Sequence, residues 1–148
     1  MQEILGITGK IVLSVVLSGI IGAEREVRHK GAGLRTHILV AVGSTLIVLT
    51  SFHISDIYKN VNADPTRIIS CIITGIGFLC AGTIIRGGEQ VVGLTTAATL
   101  WIVAAVGIAV GCSYYTAAIV TTAIVFIVLS CFRPIEGQLT KHFNHYNI

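Results

Sequence analysis

The chain of 148 residues is 53 % hydrophobic and 11 % charged, with sixteen glycines. Soluble domains carry about 25 % charged residues, so a globule of this composition would lack the polar groups to cover its own surface, and the pattern is that of an integral membrane protein. The net charge of +3 does not point to nucleic acid, because the ten Lys and Arg residues sit between apolar runs and form no stripe along one helix face.

Five apolar runs follow in order, at about residues 4–23, 34–54, 68–85, 94–111 and 115–132, each close to the roughly 20 residues a helix needs to cross the hydrocarbon core. They are continuous, so helices fit and the short alternating segments of a barrel do not. The expected fold is an all-α bundle of about five transmembrane helices in one domain spanning 1–148, with residues 133–148 as a short cytoplasmic tail. The first run lacks a basic start and ends in Glu24-Arg25-Glu26 with no A-x-A site, so it reads as a retained helix and not a signal peptide. Asp64-Pro65 reads as N-cap and first-turn proline of the third helix, and Gly87-Gly88 breaks the chain after it.

Positive charge sets the expected orientation. Arg25, Arg28, Lys30, Arg35, Arg86, Arg133 and Lys141 fall on one side; Lys59, Arg67 and Lys10 fall on the other. The first side is then cytoplasmic, with the N-terminus out and the C-terminus in, and Tyr114 and Tyr115 anchor the outer interface.

Small residues mark packing faces. Cys71, Gly75, Phe78 and Gly82, with Gly77 nearby, recur at helical spacing in the third helix. The fourth has Ala97, Ala104 and Gly111 seven apart and a Gly107-x-x-x-Gly111 step. Such residues let helix backbones approach where lipid competes equally for apolar side chains. Two readings stand: packing of the third helix on the fourth, and a seam between two copies in a homodimer. The glycines at 75, 77 and 82 are no dinucleotide loop, since no strand precedes them. The four cysteines form no C-x-x-C pair and read as small packing residues.

Chemistry-bearing residues concentrate on the cytoplasmic side. Glu24, Arg25, Glu26, Arg28, His29, Lys30, Arg35 and His37 lie within fourteen residues, and Arg86 and Glu89 join them from another loop. Arg35 and Thr36 start a helix whose free N–H groups favour an anion. The sharper expectation is a polar site in which Glu24 orients Arg35 or Arg86 toward an anionic ligand or a partner carboxylate; the plainer one is lipid-phosphate pairing. The runs hold no interior Asp or Glu for a cation path, only hydroxyls at Ser14, Ser18, Ser44, Thr45, Thr50, Thr74, Thr83, Thr96 and Thr99. A Ser–His hydrolase drawn from Ser44, Ser51 and His53 lacks a carboxylate, so no catalytic residue is expected.

Gly22-Ala23-Glu24-Arg25, Gly33-Leu34-Arg35-Thr36-His37, Arg67, Gly75-Ile76-Gly77-Phe78-Leu79, Ala81-Gly82-Thr83-Ile84-Ile85-Arg86 and the block from Gly93 to Trp101 together resemble the MgtC/SapB family of bacterial inner-membrane proteins. The resemblance covers about residues 18–118. It implies a small multi-helix protein linked to growth or survival at low magnesium and, in pathogens, to survival inside host cells. Members are often named magnesium transport proteins, but the role the family implies is modulation of other membrane proteins, ion-translocating ATPases included. The matching polar positions are Glu24, Arg25, Arg35, Thr36, Arg67, Arg86 and Thr95. Cys80 replaces the family's usual glycine, and the match is to a short form without the soluble C-terminal domain of longer members.

The expectations are therefore a non-enzymatic inner-membrane modulator of magnesium or ion homeostasis, with a magnesium or small-solute transporter as the alternative. An inner-face site is expected at Glu24, Arg25, Arg35, Thr36, Arg86 and Thr95, with outer polar positions at Asp64 and Arg67. Packing or dimer residues are expected at Gly75, Gly77, Gly82, Ala97, Ala104, Gly107 and Gly111. No cofactor, metal-ligand set or nucleic-acid partner is assigned; the partners expected are the bilayer, a second copy and a membrane protein such as an ion-translocating ATPase.

Overall fold

In lipid no water is at hand for backbone N–H and C=O groups, so each apolar run must satisfy its own by coiling into a helix. The computed structural model describes residues 1–58, 64–87 and 90–143, with the backbone alone at 65 and 132–143. Its helices are α1 (Gln2–Val27), α2 (Leu34–Ile57), α3 (Pro65–Thr83), α4 (Leu94–Gly111) and α5 (Tyr115–Phe143). Lys59, Gly88 and Glu89, and the side chains of Arg133 and Lys141, lie outside the described residues.

Four of the five helices, α1 to α4, are long and apolar enough to cross a membrane. The apolar part of α5, Tyr115–Cys131, is about 26 Å long at 1.5 Å per residue, close to the core thickness. Large apolar side chains such as Val12, Leu46, Phe78, Trp101 and Ile127 point outward, as a lipid-facing surface requires.

Several boundaries differ from the sequence expectation: α1 runs on to Val27, α2 runs on to Ile57 and α3 starts at Pro65. The third helix ends at Thr83 and not at 85, because Ile85 enters a short antiparallel hairpin, β1 (Ile85–Gly87) with β2 (Gln90–Val92), in register Ile85↔Val92 and Gly87↔Gln90. The last helix runs on to Phe143, past the 132 at which the apolar run stops: hydropathy marks where a chain leaves the apolar layer, not where its hydrogen bonding ends. Gly93 joins the hairpin to α4 at φ 94°, and a Cβ there would collide with the Thr83 carbonyl. Only glycine fits both conditions.

The helix α4 lies at the centre, touching the other four. Leu17, Val106, Val110 and Ala118 form one apolar cluster, Ile21, Ala41 and Val103 a second, and Val48, Ile72, Ile76 and Ala104 a third. At Gly107 the α4 backbone lies against the Ala41 backbone of α2, so closely that a Cβ would overlap the Ala41 carbonyl. Gly111 packs on Val48 and the Thr45 carbonyl of the same helix. The fourth helix thus turns its Gly107–Gly111 step to α2, whereas Ala97 and Ala104 face α3; the Cys80 thiol donates to the Ala97 carbonyl at 3.1 Å. Gly75, Gly77 and Gly82 have open space where a Cβ would sit.

The buried hydroxyls knit α1, α2 and α4 together. Thr45 Oγ1 lies 2.9 Å from the carbonyl oxygens of Ala41 and Gly107 and 3.0 Å from Ser14 Oγ, while Ser18 Oγ donates to the Ser14 carbonyl at 2.6 Å. Lys10 turns into the bundle, its Nζ donating to the Gly111 carbonyl at 3.1 Å. It places a cation at the negative end of α4, where the last carbonyls lack helical partners.

Candidate functional site

Arg25 meets Thr96 and Lys10 meets Gly111, so α1 and α4 run antiparallel. The alternating helices gather the end of α1, the starts of α2 and α4, and the hairpin at one end of the bundle. Asp64 and Arg67 stand exposed at the other, where Asp64 caps α3. Its carboxylate accepts from the Thr66 amide at 2.9 Å and the Thr66 hydroxyl at 2.7 Å, and these bonds hold it below the ordinary carboxylate range.

At the hairpin end a cavity of about 380 Å³ opens between α1, α4, α5 and β2. Glu24, Arg25, Arg28 and Lys30 line one side, Thr95 and Thr96 the start of α4, and Val91, Val128 and Leu129 the apolar remainder. Glu24 and Arg25 are adjacent in a helix yet both side chains are about nineteen-twentieths buried, at 6 % and 5 % exposure. Arg25 Nη2 donates to Thr96 Oγ1 at 3.2 Å, and Arg25 Nη1 stands 3.9 Å from Glu24 Oε2. Arg28, one turn on, donates through Nε to Glu24 Oε1. Glu24 Oε2 itself is buried and accepts no hydrogen bond from any described residue.

The structure therefore brings Glu24, Arg25 and Thr95 together, but the acid's partners are Arg28 and Arg25 and not Arg35 or Arg86. Arg35 and Thr36 are exposed on the first turn of α2, and Arg86 is exposed on β1. The anion at the α2 N-terminus is internal. Glu26 Oε2 accepts from the Leu34 amide at 3.0 Å, and a Cβ on Gly33 would collide with that carboxylate. Glu26 is thus a capping residue delivered from the preceding helix, which Gly33 makes room for.

Beneath this end lies His37, fully buried, its Nδ1 2.8 Å from the Gly33 carbonyl and its Nε2 3.1 Å from Thr99 Oγ1. The Gly33 carbonyl takes the Nδ1 proton, and Thr99 Oγ1, which donates to the Thr96 carbonyl at 2.9 Å, lies beside Nε2. Thr96, Arg28 and Lys30 were not singled out by the sequence as site residues. The Glu24–Arg28 spacing of four, which puts two side chains on one helix face, was the signal for Arg28.

Comparison with known proteins identifies relatives by sequence. The MgtC family model matches residues 11–138. The chain is 37 % identical over 142 residues to a protein of Escherichia coli K12 named putative magnesium transporter YhiD, covering 94 % of this chain and 66 % of that one. It is 45 % identical over 124 residues to Protein MgtC of Brucella abortus, covering 84 % of this chain and 50 % of the relative. A Synechocystis protein of no stated function is 40 % identical over 127 residues, covering 86 % and 52 %. The chain spans about half to two-thirds of the length of these curated relatives. No solved structure matches it. With a family model covering most of its length and a helical bundle apolar enough to cross a membrane, the chain belongs to the MgtC family.

Proposed function

We propose that this protein is a non-enzymatic, multi-pass component of magnesium homeostasis in a bacterial inner membrane, acting on other membrane proteins, ion-translocating ATPases among them, and not conducting magnesium itself. The observation that carries this reading is the closed junction at the middle of the bundle. The backbones of α2 and α4 touch at Ala41 and Gly107, and Thr45 and Ser14 spend their hydroxyls on one another and on helix carbonyls. Hydrated magnesium needs room for its water shell and oxygens free to replace part of it, and this junction offers neither. Arg25, Arg28, Lys30, Arg35 and Arg86 favour a cytoplasmic hairpin end, with the start of α1 outside. The face of α3 that carries Gly75 and Gly82, open where a Cβ would sit, is the proposed contact between two copies.

The test is magnesium flux into liposomes containing the purified protein, read with an entrapped magnesium-sensitive dye. The expected result is uptake no faster than in protein-free vesicles, at a protein density where circular dichroism reports folded helix. Saturable uptake above that background would make the protein a transporter and end the modulator reading.

A further inference from the structure

We infer that His37 is a proton-binding site inside the bundle, taking up and releasing a proton at Nε2 with the Thr99 hydroxyl as its switching partner. The inference goes beyond the modulator reading and does not depend on it.

The imidazole bridges α2 and α4 away from solvent: His37 is fully buried, and Thr96 and Thr99 beside it are buried too. Nδ1 lies 2.8 Å from the Gly33 carbonyl. A carbonyl has no proton to give, so Nδ1 is the donor there and keeps its proton in every state. The same carbonyl accepts from the His37 amide at 3.2 Å, which fixes the ring against the first turn of α2. Whatever changes in charge the ring undergoes therefore take place at Nε2.

Nε2 faces a group that serves it in either form. Thr99 Oγ1 stands 3.1 Å from Nε2 and 2.9 Å from the Thr96 carbonyl. A hydroxyl has one proton and two lone pairs. When Nε2 is bare, the hydroxyl proton turns to it and the ring is neutral. When Nε2 holds a proton, it donates to Oγ1, and the hydroxyl proton turns to the Thr96 carbonyl. Each form leaves Nε2 paired and each of these protons with an acceptor, and rotation about one C–O bond converts one arrangement into the other with no heavy atom displaced. A buried N–H without an acceptor is costly; here the acceptor is already in place. A carbonyl opposite Nε2 would favour the charged ring alone and an amide N–H the neutral ring alone, whereas a hydroxyl with a second outlet accommodates both.

The charges around the ring are of both signs. Glu24 and Arg25 of α1 act on it, with Arg28 bonded to Glu24, and Glu26, also of α1, lies beside Gly33. Arg35 of α2 itself is exposed. The helix α4 has no ionisable side chain from Leu94 to Gly111, and α3 brings the thiols of Cys71 and Cys80 and, at the far end of the bundle, Arg67. Thr96 ties the site to the hairpin-end cavity: its carbonyl is the second outlet for Thr99, and its hydroxyl accepts from Arg25 Nη2.

The experiment uses the whole purified chain, isotopically labelled at the imidazole nitrogens, in detergent micelles. Nuclear magnetic resonance follows those nitrogens across the pH range in which circular dichroism reports folded helix. The chain has five histidines; with His29→Gln, His53→Gln, His142→Gln and His145→Gln in place, the remaining signals belong to His37. The expected result is a ring that carries its proton on Nδ1 at the alkaline end and gains a second on Nε2, in one step, as the pH falls. Thr99→Val should weaken that proton binding about tenfold, the difference between a charge-assisted hydrogen bond and a neutral one. Thr99→Ser, which keeps the hydroxyl, should bind the proton as the unaltered chain does. A His37 ring that stays in one form, neutral or charged, throughout the folded range would overturn the inference. So would a neutral ring with its proton on Nε2, and so would a folded Thr99→Val variant that titrates with the unaltered chain. The first two outcomes are read on native residues 37 and 99, so they decide the matter even where Thr99→Val does not fold. None of these results bears on magnesium flux, so this inference and the modulator reading fail separately.

Discussion

Gly107→Ala is the sharpest probe of the central junction, because the same change elsewhere in the bundle should act with the opposite sign. A methyl at 107 would occupy the space of the Ala41 carbonyl, so α2 and α4 must part. Overpacking of this kind costs about 1–3 kcal/mol. Parting also stretches the 2.9 Å bond from Thr45 Oγ1 to the Gly107 carbonyl, at about 0.5–1.5 kcal/mol. Replacing a helical glycine by alanine returns about 0.5–1 kcal/mol. The net expectation is a loss of about 2 kcal/mol. Gly43→Ala in α2 is the control: nothing lies within 4 Å of a Cβ there, so only the gain in helix propensity remains and the variant should be neutral or more stable. The assay is reversible unfolding in mixed micelles titrated with sodium dodecyl sulfate, followed by far-ultraviolet circular dichroism. If Gly107→Ala unfolds at the same detergent fraction as Gly43→Ala, the two backbones do not touch as described and the closed-junction argument goes with them.

Three further outcomes follow from the polar residues. Arg25→Gln should destabilise the bundle by about 3 kcal/mol, the cost of breaking a buried ion pair from one side, while Arg35→Gln, on an exposed side chain, should change stability by less than about 0.5 kcal/mol; the same detergent titration compares them. Glu26→Ala should cost about 1 kcal/mol by removing the cap from the Leu34 amide, and amide hydrogen exchange should speed up at the first turn of α2 but not in α4. Asp64 is held below the ordinary carboxylate range by its bonds from Thr66, so its contribution is present above the unfolded-state value and lost as pH falls through the lowered one. Exchange at the Thr66 amide should therefore be protected at neutral pH and, after correction for intrinsic rates, lose protection in acid; constant protection would refute the cap.

The parts of the fold that were legible in the sequence are those set by a property of one segment. Continuous apolar runs announce helices, and Asp64-Pro65 announces how α3 begins. What was not legible depends on which segments meet. The Gly107–Gly111 step identifies a face of α4 but not the neighbour that fills it, and the neighbour is α2 and not α3. Thr95 and Thr96 are adjacent and about 100° apart on a helix; only the position of Arg25 decides that Thr96 takes the hydrogen bond. The anion at the α2 N-terminus was expected from outside and comes from Glu26, because spacing along the chain does not reveal that the turn folds a carboxylate back over Gly33. The hairpin, three residues to a strand, is too short to display alternation; its trace in the sequence is the apolar pair Ile84-Ile85 before Gly87-Gly88 and Val91-Val92 after, of which Ile85 and Val92 come to lie opposite each other.

The junction of Ser14, Thr45 and Gly107 also constrains the order in which the protein can be built. Its two contacts from Thr45 reach 31 residues back to α1 and 62 residues forward to α4, skipping the helix in between. During synthesis α1 and α2 enter the bilayer as a pair, with the groove for α4 still lined by lipid. When α3 follows, it finds only part of its seat, since Ala97 and Ala104 have not yet been made. In the finished bundle Ile72 and Ile76 of α3 pack on Val48 of α2 and Ala104 of α4, so the seat of α3 is complete only once α4 has been made.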